Sequence, residues 1–108
     1  GKALHGDLDT LWARHAETAG PCPRATLTQV ADHLEYMTGI AGIDHIGIGS
    51  DFDGVGGELA EGLRSVADFP NLDAGLQARG YSDADIRKLL GENLLRVWHA
   101  VEDGAAAR

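Results

Sequence analysis

Apolar side chains recur at helical spacing in the first part of the chain. Within residues 7–19, DLDTLWARHAETA, one face carries Leu8, Leu11, Trp12 and either His15 or Ala16, and Gly20 with the Pro21/Pro23 pair ends the run. The pattern predicts one amphipathic helix and then a break. A second helix is predicted from Thr26, because Thr26 and Gln29 have the spacing of a capping box and Leu27, Val30, Ala31, Leu34 and Met37 form a stripe that needs burial. It ends near Gly39 or Gly42.

The period then changes. Across residues 44–51 the apolar positions Ile46 and Ile48 alternate with Gly47 and Gly49, which predicts a strand. Side chains alternate along a strand, so Ile46, Ile48, Ser50 and Phe52 share one face and Gly47, Gly49 and Asp51 the other. A glycine-rich acidic loop, DGVGGELAEG, follows without a period of its own. Pro70 opens a short helix through Leu72 and Leu76 that stops at Gly80, and Ser82 caps another, DADIRKLL, that stops at Gly91. A last helix, about Asn93 to Val101, buries Leu94, Leu95, Val97 and Trp98 ahead of an alanine-rich tail. No internal repeat or low-complexity linker divides the chain.

Helix, helix, strand, long loop and three helices make an α/β order with one strand. A lone strand leaves amide and carbonyl groups unpaired along both edges. Two expectations follow: the strand pairs with another chain, giving self-association through its edge, or residues 1–108 are a single partial domain of a larger α/β protein. Residues 1–25 are the least defined part of it. The chain begins with Gly1 and not with Met, which fits a processed or partial product.

Charge narrows the partners. With 17 acidic and 9 basic side chains the formal net charge is −8, which opposes attraction to nucleic-acid phosphates and to anionic membrane surfaces. No apolar run approaches the length of a membrane span, and the opening GKALHGDLD lacks the apolar stretch of a signal peptide, so a cytoplasmic location is expected. The single cysteine, Cys22, has no second cysteine for a disulfide or a paired-cysteine zinc site, and it reads as an ordinary loop residue.

The candidate chemistry lies where the strand meets the loop, in GIDHIGIGSDFDG. Asp51 arrives at the carboxyl end of the predicted strand, on the face that the glycines leave bare. An aspartate beside glycine commonly serves a turn. Here strand parity points Asp51 inward and Asp53-Gly54 already supplies turn chemistry. The Asp51-x-Asp53 start of a calcium loop does not continue, because Val55 and Gly62 stand where the fifth and twelfth positions need oxygen ligands.

The stretch IDHIGIGSDFDGV resembles the signature of the membrane dipeptidase family, also called renal dipeptidase or peptidase family M19, a branch of the amidohydrolase superfamily. The likeness continues through TLTQVADHLEYMTGIAGIDHIGIGSDFDG and FPNLDAGLQARGYSDADIRKLLGENLLRVW, about residues 26 to 102. It implies a zinc-dependent dipeptidase on a (β/α)8 TIM barrel, of which this chain is the C-terminal part: the last strand with its flanking and closing helices. It further implies two zinc ions bridged by a glutamate and a hydroxide, held by a His-x-Asp on the first strand, that glutamate and two later histidines. Small dipeptides are the implied substrates. Asp51 matches the family's last-strand aspartate, which contacts the substrate's amino end and the nucleophilic water and carries the proton between water and leaving amine.

A full barrel takes roughly 250 residues, more than twice this chain, and the segment that should hold the metal ligands is absent. The isolated chain is therefore expected to be inactive and to bind no zinc alone. His5-Gly6-Asp7 has the His-x-Asp form, but no apolar strand precedes it, and it reads as a loop before the first helix. His15, His33, His45 and His99 read as surface or packing residues. Asn93 resembles the Gly-x-Asn near the end of many amidohydrolase chains and reads as a helix cap, and Arg96 reads as a surface residue. Glu58, Glu61 and Asp68 read as solvated, and Trp12 and Trp98 as core contacts. Two rival readings stand beside the dipeptidase: another amidohydrolase-like metal hydrolase, and a non-catalytic fragment or interaction module.

Overall fold

Thr26 turns the chain into its best-defined helix through the predicted capping box. The Gln29 amide donates to Thr26 Oγ1 at 3.2 Å, and the Thr26 amide donates to Gln29 Oε1 at 2.9 Å. The computed structural model describes residues 2–107, with side chains from residue 6 onward. The elements are α1 (Lys2–Ala19), α2 (Leu27–Ala41), a 3₁₀ turn (Ile43–His45), a second 3₁₀ turn (Val66–Asp68), α3 (Phe69–Ala78), α4 (Asp83–Arg87), a wide turn (Lys88–Glu92) and α5 (Asn93–Ala106). No helix among the described residues is long and apolar enough to cross a membrane.

The expected α/β class is overturned. No strand or sheet forms among the described residues; residues 44–51 begin in the 3₁₀ turn, Ile46 is extended (φ −111°, ψ 141°), and residues 47–50 have no regular structure. The reason is physical: alternation prepares a segment for a ladder, but a strand exists only where a neighbour completes the hydrogen bonds. A single parallel bridge, Thr26 to Glu61, is present elsewhere. The reading of this chain as the last-strand segment of a (β/α)8 barrel therefore fails, as does the strand edge invoked for self-association.

The two faces of the segment nevertheless separate as the alternation predicts. Ile46 is buried and Ile48 packs beside it, while Gly47 and Gly49 are exposed. The core that receives Ile46 consists of Leu34 from α2, Leu72 and Leu76 from α3, Ile86 from α4 and Leu89 from the wide turn. Leu27, Val30 and Met37 pack against its rim, so the α2 stripe is used along its length. Pro70 stands at the start of α3, and the Ser82 side chain caps α4 by accepting from the Asp85 amide at 3.1 Å. Arg79, just past α3, donates to Asp32 Oδ1 at 2.6 Å, Glu35 Oε2 at 2.9 Å and the Thr28 carbonyl at 3.1 Å, tying α3 to α2. The hydrogen bond to Asp32 above all raises its guanidinium pKa.

Helix boundaries and burial differ from expectation at both ends. α1 starts at Lys2, so His5-Gly6-Asp7 lies in a helix and not in a loop; the His5 side chain lies outside the described ones. α5 runs on to Ala106, because alanine favours helix and the alanine-rich tail continues the turn. Residues 6–19 of α1 are exposed, and Trp12 packs edge-on against His15 with ring centroids 6.1 Å apart. The expected burial of Leu94, Leu95, Val97 and Trp98 does not occur, and Trp98 is 59% exposed with its indole donating to Glu102. Neither tryptophan is a core contact. The Cα radius of gyration, 18.3 Å, exceeds the roughly 13 Å of a closed domain of about 100 residues.

Candidate functional site

Asp51 begins a four-residue turn instead of ending a strand. Its carbonyl accepts from the Gly54 amide at 2.9 Å, so Asp51 supplies turn chemistry that the sequence pattern assigned to Asp53-Gly54. Its φ of 50° is the one positive value at a non-glycine position among the described residues. Aspartate tolerates this left-handed conformation better than most residues, at a cost on the order of 1 kcal/mol. Such a residue keeps its place only where neighbours over-determine it.

Those neighbours can be named. The Asp51 carboxylate folds over Gly54 so closely that a methyl group there would collide with Oδ1. Gly54 is thus required by space and not by its own dihedral angles. On the far side of Asp51, Phe52 stacks obliquely on Phe69 at the start of α3, with centroids 5.6 Å apart. Before it, Ile46 and Ile48 hold the backbone to the core. The carboxylate itself is exposed.

Space adjoins the segment. A hollow of about 170 Å³ lies between residues 47–50 and α2, bordered by His33, Met37, Ile48 and Leu63. Side-chain carbons built onto Gly47 or Gly49 would meet nothing within 4 Å. The acidic loop beyond the turn is fastened at its far side: Arg24 donates to the Gly57 carbonyl at 3.0 Å, the Glu61 amide to the Ala25 carbonyl at 2.8 Å, and Asn71 to the Gly62 carbonyl at 3.0 Å. Glu58 and Glu61 are exposed, as expected of solvated acids, whereas Asp68 is half-buried and accepts from the Arg64 amide at 2.8 Å.

The structure does not gather these acids and histidines into a metal site. Among the described residues no three His, Cys, Asp or Glu side chains come together. His33, His45 and His99 are exposed on separate elements, and Cys22 is an exposed loop thiol. The donor set present here does not fit a bound zinc ion.

Two polar residues, Asn93 read as a helix cap and Arg96 read as a surface residue, hold the start of the segment. Asn93 is no helix cap: it is buried, and its Nδ2 donates to the Ile43 carbonyl at 2.7 Å and the Ile46 carbonyl at 2.9 Å. Its Oδ1 accepts from Arg96 Nη1 at 3.0 Å, and Arg96 Nη2 donates to the Asp44 carbonyl at 2.6 Å. No local spacing marks Asn93, because the helical geometry breaks at Gly91 between Leu89 and Asn93. Lys88 adds an ion pair to Asp44 at 2.8 Å. The hydrogen bond from its ammonium, then its charge, holds the Asp44 carboxyl below its ordinary value, and Asp44 raises the Lys88 pKa in turn.

Comparisons with known proteins agree on one group. The family model described as membrane dipeptidase (peptidase family M19) matches residues 11–108. "Dipeptidase tcpJ" of Claviceps purpurea (strain 20.1) is 40% identical over 85 residues, which cover 79% of this chain and 20% of that protein. "Dipeptidase verJ" of Clonostachys rogersoniana is 49% identical over 78 residues, covering 72% and 20% respectively. The crystal structure of the probable dipeptidase PvdM from Pseudomonas aeruginosa is similar with a TM-score of 0.72 at 39% identity, over 91% of this chain and 23% of that one. The chain spans about a fifth of the length of the curated relatives it matches.

Proposed function

The chain belongs to the membrane dipeptidase family, peptidase family M19, and from that premise we propose that the whole protein hydrolyses the peptide bond of small dipeptides with Asp51 at the reacting centre. The observation that supports this reading is Asp51 itself: an exposed residue with a left-handed backbone, its carboxylate folded over Gly54 and its chain neighbour Phe52 anchored on Phe69. Amide hydrolysis needs a proton removed from the attacking water and a proton given to the departing amine. One carboxylate can do both in turn, and such general acid–base catalysis contributes about 10²- to 10⁴-fold. The other oxygen can accept a charge-assisted hydrogen bond from the substrate's α-ammonium, which would select a free amino end.

Two zinc ions, implied by the sequence likeness, belong to this proposal for the whole protein only. The residues described here do not fit them, and no side chain of this chain is assigned to hold them.

A panel of paired substrates tests the reading. The whole protein should cleave a free dipeptide, and kcat/KM for the same dipeptide N-acetylated should be lower by about 10²-fold or more, because a site built for a polar group rejects a substrate that leaves it unpaired. Equal rates on both would remove the amino-anchoring role. A second expectation concerns Gly54. Gly54→Ala displaces the Asp51 carboxylate, and since a misplacement of about 1 Å can cost 10²-fold, kcat should fall by roughly that factor with an unchanged thermal melting curve. Full turnover in Gly54→Ala would show that the carboxylate does not act from its present position.

A further inference from the structure

We propose that Asn93 and Arg96 are positioning residues for Asp51, acting through the backbone of residues 43–46; the inference rests on the reading of Asp51 as the proton carrier. Three features of the geometry lead there. First, the two side chains lie one helical turn apart on α5 and together hold three carbonyl groups, those of Ile43, Asp44 and Ile46. Every polar atom of the Asn93 carboxamide is engaged, with both Nδ2 hydrogens on carbonyls and Oδ1 on Arg96. The planar guanidinium of Arg96 bridges Asn93 and Asp44, a fork that an ammonium cannot reproduce.

Second, a cap or a solvent-facing polar residue needs none of this. Asn93 is only 5% exposed, and burying an amide without partners is costly, so the carboxamide is placed for these carbonyls. Third, the held backbone leads directly to Asp51. The stretch between is held to the core at Ile48 but contains Gly47 and Gly49, exposed and without side chains to anchor them, so its register rests on Ile48 and on its two ends. One end is the Asn93–Arg96 clamp. The other is Phe52 on Phe69, immediately after Asp51. Loosening the clamp lets the segment slide along α5 and carries the Asp51 carboxylate away from the reacting atoms.

A double-mutant cycle in the whole protein tests this. Arg96→Met is made alone and together with Asp51→Asn, and kcat for one dipeptide is measured for all four proteins. A residue that acts only through Asp51 has nothing left to position once the carboxylate is gone. Arg96→Met should therefore lower kcat about tenfold or more where Asp51 is intact and by less than about twofold where it is combined with Asp51→Asn. Arg96→Lys, which keeps one donor for the Asp44 carbonyl, should recover part of the loss. If Arg96→Met does not fold, Arg96→Lys carried through the same cycle decides. Equal factors with and without Asp51→Asn would overturn the positioning role while leaving Asp51 as proton carrier. Normal turnover in Asp51→Asn alone would overturn both.

Discussion

Asp51→Asn in the whole protein lowers kcat for dipeptide hydrolysis by about 10²- to 10⁴-fold and leaves the thermal melting curve and the bound metal content unchanged. The substitution keeps the shape of the side chain and the left-handed backbone, which asparagine tolerates as aspartate does. It removes the proton acceptor and the negative charge offered to the substrate's ammonium group. The fold should not notice, because the carboxylate is exposed and its backbone carbonyl, not its side chain, closes the turn with the Gly54 amide. Steady-state kinetics with a free dipeptide, alongside calorimetry and metal analysis, checks all three parts. An unchanged kcat would end the assignment of Asp51.

Leu72→Ala should destabilise the protein by about 2–5 kcal/mol, the range for removing a fully buried leucine and leaving a cavity. Leu72 is 0% exposed and meets α2, the segment around Ile46 and α4 in one core cluster. With so few buried residues, each carries a large share of the packing. Val66→Ala serves as the contrast: Val66 is 71% exposed at the surface, and such changes stay within about 0.5 kcal/mol. Urea unfolding midpoints of the two variants measure the difference. Equal shifts would mean that the core is not where the structure puts it.

Local signals were the legible part of this chain. The Thr26 capping box, the Ser82 cap and the α2 stripe depend on residues three or four apart and Pro70 at the start of α3 on its own ring, and all four are found in place. The alternation at Ile46 and Ile48 also told which side chains face the core. It did not tell whether a strand would form, because that depends on a neighbouring segment and not on the alternating residues. The apolar face of α5 failed for a related reason: Leu94, Val97 and Trp98 advertise a need for burial without specifying what covers them, and here they are exposed.

The candidate site was legible in residue type and poorly legible in geometry. Asp51 stood out through its place in IDHIGIGSDFDGV, but its left-handed backbone and its contact with Gly54 arise from the turn as folded. Asp53-Gly54 resembled a self-sufficient turn and drew attention away from the carbonyl of Asp51. Asn93 was misread, and the contacts of the surface residue Arg96 went unseen, because their partners at Ile43, Asp44 and Ile46 are far away in the sequence. Asn93 faces inward beyond a break in helical geometry at Gly91, and a polar side chain there must find partners.

A crystal structure of the whole protein with a dipeptide analogue, its scissile amide replaced by a non-hydrolysable linkage, puts the role of Asp51 directly to the test. One Asp51 carboxylate oxygen should lie within about 3 Å of the analogue's amino group, and the other should face the replaced amide at hydrogen-bond distance. An analogue bound with its amino end on another residue, and Asp51 turned to solvent, would contradict that role.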